Sequence, residues 1–446
     1  MSGFCALSFL FALNGRRSAF GRMQSFLLLT LCWVVLGLIG ALPFAITAGL
    51  SPADSVFESV SGLTTTGATV FTNLADYPLA IIFWRAELQW LGGLLTLLSI
   101  TLISAPAGIG GLPDRHIRLA ESAEGMMGHR VVNAVRDIAG LYLLTTVACM
   151  ICLLLSGIPP IDALCLALAT VSTGGFVPID GNISDYGNPF AEIAMIIFML
   201  LGASSILWQR MLLTNRRQLL ARHRESYSVM ALAGIVGLMY ALTLFRAAGS
   251  VDVLSPLTAL REGLFTAASL VSTTGFEVRH GGFAVLPLTL VMFIALVGGG
   301  TFSTAGGLKH YRLGGMLVQA YRELGRLVYP HGIRSAQFGS QVYDIQLMKA
   351  IWSFFSASIV VVAFGSLALA LEDIDYEGAL VASIAAFSNI GPLYPNGWLA
   401  VGAEAWPAYA ALNGPSKMIL CTIMILGRIE VLALFAAANH TYWLRR

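Results

Sequence analysis

Four short stretches of this chain hold residue types that could do chemistry on a bare cation. SGLTTTGATV at 61–70, ATVSTGGFVP at 169–178, SLVSTTGFEV at 269–278 and AAFSNIGPLY at 385–394 align without gaps around Gly67, Gly175, Gly275 and Gly391. Backbone carbonyls in such Thr/Ser-Gly segments can take the place of an ion's hydration shell. Glycine suits the aligned position because a side chain would obstruct the path and because it accepts positive φ without strain. The candidate ion-binding residues are therefore Thr65, Thr66 and Gly67; Thr173, Gly174 and Gly175; Thr273, Thr274 and Gly275; and Asn389, Ile390 and Gly391. For any one of these segments, close packing of membrane helices on a small residue is the simpler reading. Four in register, each after the same kind of element, favour a common site.

That element is a run of about a dozen moderately apolar residues headed by a helix-start signal. The signals are Ser51-Pro52, Pro159-Pro160 before Asp162, Ser255-Pro256, and Asp375 before Tyr376. A bilayer span takes roughly 20 apolar residues, so each short run is expected to enter the membrane and turn back. Irregular backbone at that depth survives only where protein buries it or where it lines a water-filled cavity. The aligned glycines lie 108, 100 and 116 residues apart, and each interval holds a long helix, a short helix, a glycine loop and a long helix. Four short helices so arranged aim partially negative C-termini at one place, which favours a cation there.

Composition points the same way. Hydrophobic residues make up 57% of 446 positions and charged ones 11%, where a soluble domain carries about a quarter charged. Eight apolar windows, near 25–48, 80–104, 138–157, 189–209, 228–247, 284–300, 350–371 and 416–438, predict eight spans. The first is too long for the apolar part of a cleaved signal peptide and is expected to stay in the mature protein. The fold expected is an all-α polytopic membrane protein with four pseudo-symmetric repeats around a central pore. A cytoplasmic N-terminus at 1–24 precedes repeat one at 25–104. Repeat two at 105–209, repeat three at 210–308 and repeat four at 309–440 each include a preceding cytoplasmic loop, and 441–446 is a cytoplasmic C-terminus.

Orientation follows the placement of Lys and Arg. Of the 26, 20 fall in the N-terminus, 105–137, 210–226, 308–349 and the C-terminus, which places those segments and both termini in the cytoplasm. The opposite loops, with Asp54, Glu58, Asp76, Asp162, Asp180, Asp185, Asp252, Glu262, Glu277, Glu372, Asp373, Asp375 and Glu377, are expected to face outward, where their field would gather cations. The six cysteines show no facing CxxC pairs and are assigned no chemistry.

A second constellation lies in the last part of repeat three. The run Gly298, Gly299, Gly300, Thr301, Phe302, Ser303, Thr304, Ala305, Gly306, Gly307 interrupts an apolar helix. Its five glycines, each costing roughly 1 kcal/mol relative to alanine, break that helix. The break is either a gate below the glycine loops or a kink that lets helices cross closely. Arg428, set in the apolar final helix, costs roughly 2.5–3.5 kcal/mol at mid-membrane and must face the bundle interior or a watery cavity. There it would oppose cations and could donate to carbonyls of the glycine run; the alternative is an ion pair with Glu430, which two-residue spacing on a helix disfavours. Lys309 is read as a snorkelling boundary residue, and Arg85, Glu87 and Gln89 as polar braces of the glycine loops.

At these residues the chain resembles the Trk/Ktr/HKT superfamily of potassium transporters, within it the TrkH-like bacterial branch. The likeness runs from about residue 25 to 440. It is most specific in TTTGATV at 64–70, FWRAELQWLGG at 83–93, VSTGGF at 171–176, VSTTGF at 271–276, GGGTFSTAGGLK at 298–309 and LGRIE at 426–430. The resemblance implies that the four loops form a selectivity filter holding potassium and that the glycine run is an intramembrane gate. It also implies a homodimer among the lipids of the bacterial cytoplasmic membrane, with a cytosolic RCK-type nucleotide-binding subunit as partner. Gly67, where sodium-carrying relatives hold serine, implies potassium. Two departures stand out. Members of that branch usually carry a further helix pair before repeat one, so the length here is nearer the KtrB kind; and SNIGP in the fourth segment lacks Thr-Gly, which makes the filter chemically asymmetric and leaves room for looser selectivity.

A sodium- or proton-coupled symporter with a midplane site is the main competing function, although broken helices there usually come in one or two inverted pairs. A weakly selective sodium and potassium transporter is another. An enzyme is not indicated: HExxH, a nucleophile elbow and GxxxxGK[ST] are all absent, and the histidines have no ligand spacing. Nothing points to nucleic acid.

Overall fold

The computed structural model describes residues 22–105, 127–214, 220, 223–248, 255–329, 337–338, 341–394, 406–429 and 431. The expected terminal segments, much of the loop at 105–137 and Glu430 lie outside these residues. Repeat one opens with α1 (Arg22–Gly40) and α2 (Leu42–Thr47), followed by the short α3 (Pro52–Leu63) and by α4 (Leu79–Ser99), which a π turn over Ile100–Ser104 extends. Repeat two is α5 (Met127–Leu155), the short α6 (Pro160–Val171), α7 (Pro189–Ala203) and α8 (Ile206–Leu213). Repeat three is α9 (Arg224–Ala248), the short α10 (Pro256–Val271) and α11 (Leu288–Val297). The amphipathic α12 (His310–Val328) and a two-residue antiparallel pair, β1 (Gln337–Phe338) with β2 (Gln341–Val342), lead to repeat four. That repeat is α13 (Ile345–Ala370), the short α14 (Tyr376–Phe387) and α15 (Gly414–Ile429). The membrane portion is all-α, as the sequence indicates.

Every short helix begins at its signal. The Ser51 and Ser255 hydroxyls accept the N–H groups of Asp54 and Thr258, each at 3.2 Å, and the Asp375 carboxylate accepts that of Glu377 at 3.2 Å. Pro52, Pro160 and Pro256 occupy the first helical position, where a missing N–H leaves no bond unmade.

The long helices depart from the expected eight spans in an informative way. Among the described residues, five helical segments are long and apolar enough to cross a bilayer: Gln24–Thr47, Leu79–Ser104, Val132–Leu155, Arg224–Arg246 and Ile345–Ala370. The window at 189–209 is helical but bent by 110° where α7 meets α8, and the window at 284–300 stops at Val297. The last helix shows 16 residues within the described chain. The break in repeat three is the one the glycines forecast. The break at Ser204-Ser205 has no Pro, and its local signal is only the short Gly202-Ala203-Ser204-Ser205 stretch, a Gly/Ser combination that permits a kink without dictating one.

Close approach of backbone to backbone seats the short helices. A β-carbon on Gly92 of α4 would strike the Leu63 carbonyl at the end of α3; one on Gly263 of α10 would strike the Gly237 carbonyl of α9; one on Gly427 of α15 would strike the Phe387 carbonyl at the end of α14. Because the obstruction is main chain, it cannot rotate away. Gly92→Ala is expected to cost about 1–3 kcal/mol of overpacking and to lower the melting temperature of the detergent-solubilised protein followed by size-exclusion chromatography. An unchanged melting temperature would show that the α3–α4 contact gives way freely.

Candidate functional site

All four short helices end in the same backbone motif. Thr64, Ser172, Ser272 and Ser388 still bond four residues back, to the carbonyls of Val60, Leu168, Ala268 and Ile384. The next residue is left-handed in each repeat: Thr65 at φ 53°, Thr173 at 55°, Thr273 at 58° and Asn389 at 53°. One further on, the N–H closes a bond five residues back, Thr66 to Ser61 at 2.8 Å, Gly174 to Ala169 at 2.8 Å, Thr274 to Ser269 at 3.0 Å and Ile390 to Ala385 at 2.9 Å. This is a Schellman termination, whose left-handed position normally takes glycine or asparagine. Asn389 conforms. The three threonines are β-branched residues held where such side chains are outliers, at a strain of order 1–3 kcal/mol each. Gly67, Gly175 and Gly275 then continue at φ 78°, 83° and 83°, while Gly391 opens a 3-10 turn to Leu393 instead.

The four loops touch one another in cyclic order. A β-carbon on Gly67 would strike the Gly174 carbonyl of repeat two, and one on Gly175 the Thr274 carbonyl of repeat three. One on Gly275 would lie 2.8 Å from Pro392 Cδ of repeat four, and one on Gly391 would strike the Ala68 nitrogen of repeat one. The loops therefore close a ring with no space for a side chain at any aligned glycine, and the structure brings all twelve candidate residues together. The atypical fourth loop is tied to the first by Gly391 N–H donating to the Thr66 carbonyl at 2.6 Å and Asn389 Nδ2 donating to Thr66 Oγ1 at 3.0 Å. Behind it, the Tyr409 hydroxyl donates to the Gly391 carbonyl at 2.9 Å.

The glycine run at 298–307 packs directly against the start of the loops in repeats two, three and four, and is joined to the loop of repeat one through Arg428. In repeat two, Thr304 Oγ1 donates to the Val171 carbonyl at 3.2 Å and lies 3.3 Å from Thr173 Oγ1. In repeat three, Gly306 N–H donates to Thr273 Oγ1 at 2.7 Å, and in repeat four a β-carbon on Gly306 would strike the Ser388 carbonyl. Arg428, 5% exposed, supplies the link to repeat one. Its Nε donates to the Thr64 carbonyl at 2.6 Å, one terminal nitrogen donates to Thr65 Oγ1, and the other donates to the Thr304 carbonyl at 2.6 Å. The bend in repeat two receives the same run from the side. Gly300 N–H donates to the Ala203 carbonyl at 2.8 Å, Thr304 N–H to the Gly202 carbonyl at 3.2 Å, and Ile206 N–H to the Phe302 carbonyl at 2.9 Å.

Lys309 differs from its expected boundary role. It is 6% exposed and left-handed at φ 76°, and its ammonium donates back to the Ala305 carbonyl. A carbonyl without a helical partner is a nearer acceptor than interfacial water, so the side chain folds inward rather than snorkelling.

From α4, Arg85 and Gln89 brace the loops. Arg85 Nε pairs with Glu58 Oε1 at 2.8 Å, both buried, while the Glu58 oxygens also accept Val70 N–H at 2.9 Å and the Thr69 hydroxyl at 3.0 Å. The Arg85 guanidinium faces the Phe176 ring at 4.2 Å. Gln89 Nε2 donates to the Gly174 carbonyl at 2.5 Å, and its Oε1 accepts Phe176 N–H at 3.3 Å. Glu87 makes none of these contacts. Glu58 also corrects the expected acidic face, since it sits inside α3 and not in an outward loop; Glu262 with Arg279 and Asp54 with Lys417 are likewise paired, each at 2.5 Å. Among the described residues no group of His, Cys, Asp and Glu has the geometry of a metal site.

Four re-entrant helices that end alike, a ring of glycine loops and an irregular segment against that ring define a polytopic membrane protein of the four-repeat, re-entrant-loop class. The sequence profile of TrkH, described as a cation transport protein, matches residues 5–442, and the chain belongs to that family. It is 32% identical over 426 residues to the Trk system potassium uptake protein TrkH of Salmonella typhimurium, covering 94% of this chain and 86% of the relative. It is 27% identical over 425 residues to the Trk system potassium uptake protein TrkI of Halomonas elongata, covering 94% and 84%. The crystal structure of the potassium transporter TrkH from Vibrio parahaemolyticus matches with a TM-score of 0.83 at 29% identity, over 99% of this chain and 90% of that one.

Removing one partner of the buried pair should be far worse than removing both. Glu58→Leu is expected to destabilise by about 3–5 kcal/mol because Arg85 is left charged and unpaired. Glu58→Leu with Arg85→Met should recover much of that loss in thermal unfolding of the purified protein; additive losses would show that the two charges do not stabilise each other.

Proposed function

We propose that this chain takes up potassium across the bacterial cytoplasmic membrane through a channel-like pore. In this reading the ring of four loops is the selectivity filter and 298–307 is its gate. The observation that carries it is the cyclic close approach of the loops at Gly67, Gly175, Gly275 and Gly391, which brings four sets of backbone carbonyls together and leaves no space for a β-carbon at any of the four. Carbonyl oxygens so placed can replace the water around a monovalent cation, and the short helices aim their negative ends at the same point. The names of the relatives, potassium uptake proteins, support the choice of ion.

The glycine run suits a gate because its hold on the ring is a small number of exchangeable hydrogen bonds, and because Arg428 keeps a positive charge beside the path. Both termini would lie in the cytoplasm, the protein would act as a homodimer, and a cytosolic RCK-type nucleotide-binding subunit would dock on the segments at 105–137 and 308–349. A weakly selective sodium and potassium pore is the second reading, favoured by the 3-10 turn at Gly391, which departs from the other three loops.

Growth of a potassium-uptake-deficient bacterium on low potassium tests the assignment. The chain, with a cognate cytosolic subunit supplied, is expected to restore growth, and Gly67→Ser to weaken it about tenfold or more, since a β-carbon there meets the Gly174 carbonyl and the residue must hold φ 78°. Deletion of 299–306 is expected to give leakier flux. Membrane insertion of the unaltered chain without rescue, the cytosolic subunit being supplied, would overturn the potassium pore.

A further inference from the structure

Glu225 is a buried charge for which the filter and gate have so far found no use. It stands in the first turn of α9, 8% exposed, and its Oε1 accepts the Thr301 N–H at 2.5 Å, in the middle of the glycine run. A carboxylate is costly to bury unless something compensates it, and here the compensation comes from the loop itself. Gly300 leaves room beside the same oxygen, where a β-carbon would lie 3.6 Å away, and Lys309 acts on the carboxylate electrostatically. One turn along α9, Ser228 Oγ donates to the Glu225 carbonyl at 2.7 Å and lies 3.2 Å from His310 Nδ1, at the start of α12. A single turn of α9 therefore holds the loop at its midpoint and at the point where the chain leaves it. Arg428 holds the loop at Thr304 from α15, in a different repeat. The two attachments share no residue.

We propose that Glu225 is a second latch on the loop, independent of Arg428, through which movement of the start of α9 is delivered to residue 301. This rests on the gate reading above. Residues 210–226 are a basic segment that the orientation reading places in the cytoplasm, so the latch gives that side of the protein a direct mechanical connection to the loop. Opening requires the Thr301 amide to leave the carboxylate as well as Thr304 to leave the guanidinium.

Single-channel recording and rubidium flux of the full-length protein in liposomes test this, with Glu225→Ala, Glu225→Gln, Arg428→Ala and a deletion of 299–306. Loss of a hydrogen bond to a charged group is expected to raise the resting open-to-closed ratio on the order of 10- to 100-fold in Glu225→Ala. Glu225→Gln should fall between it and the unaltered protein, because the amide oxygen still accepts the Thr301 N–H but without charge. Unitary conductance and the potassium-to-sodium permeability ratio should not change, which a general loosening of the fold would not spare. Combined with Arg428→Ala, the effects on the open-to-closed ratio should multiply. If the deletion leaks while both Glu225 variants stay as tight as the unaltered protein, the latch is refuted and the gate stands. If the deletion does not leak, the gate reading fails and the latch with it. Changed selectivity at an unchanged resting ratio would make Glu225 a prop of the filter and also refute the latch. Should Glu225→Ala not insert, the near-isosteric Glu225→Gln decides the matter by whether its resting ratio rises.

Discussion

No backbone N–H or C=O can go unpaired in hydrocarbon without a cost of several kcal/mol, yet this chain leaves helical geometry at four loops and at two further breaks. The four loops solve the problem internally, each closing bonds back into its own short helix. The two breaks solve it for each other. The carbonyls of Gly202 and Ala203, released where α7 ends, accept from Thr304 and Gly300, and the Phe302 carbonyl accepts from Ile206 at the start of α8. Neither interruption is tenable at membrane depth alone. The loop against the ring is therefore not a loose plug but one half of a paired interface, and the bend in repeat two exists to be the other half.

That mutual dependence shapes how the loop can move. Packed, hydrogen-bonded interfaces tend to switch between discrete arrangements rather than deform gradually. A displaced loop must find new partners for three backbone groups of repeat two and for the Arg428 guanidinium together, or water must enter to satisfy them. A watery path would supply those partners, so under the proposed function the open state and the hydrated state are one state.

The parts of this arrangement that the sequence revealed are those with local causes. Ser51-Pro52, Pro160, Ser255-Pro256 and Asp375 cap and start helices through groups two or three residues away, and the structure starts each helix there. Arg428 was legible because a charge in an apolar helix has few tolerable places, and Gly298–Gly307 because glycines break helices. What stayed hidden depends on partners distant in sequence. Glu58 reads as one more acid near an outer loop until Arg85 is found against it, and Lys309 as a boundary residue until its ammonium turns back to Ala305. The bend at Ser204-Ser205 was hard to read because Gly202-Ala203-Ser204-Ser205 only permits a kink, while the partners that satisfy its freed backbone groups lie in the loop nearly a hundred residues later.

The left-handed threonines carry the argument furthest. Glycine at 65, 173 and 273 would end the short helices equally well and remove strain of order 1–3 kcal/mol at each, so threonine must be kept for its side chain. Those side chains all point to one structure: Thr65 Oγ1 accepts from Arg428, Thr173 Oγ1 meets Thr304 Oγ1, and Thr273 Oγ1 accepts from Gly306 N–H. Asn389, the fourth of the set, donates to the Met424 carbonyl of α15, one turn before Arg428. A typical hydrogen bond nets about 0.5–1.5 kcal/mol, comparable to the strain, so the exchange adds little stability to the resting protein. What it does instead is connect. In three of the four repeats the residue that sets the loop's exit angle from its helix is the same residue that holds the glycine run or its arginine, so the position of that run bears directly on those three loops.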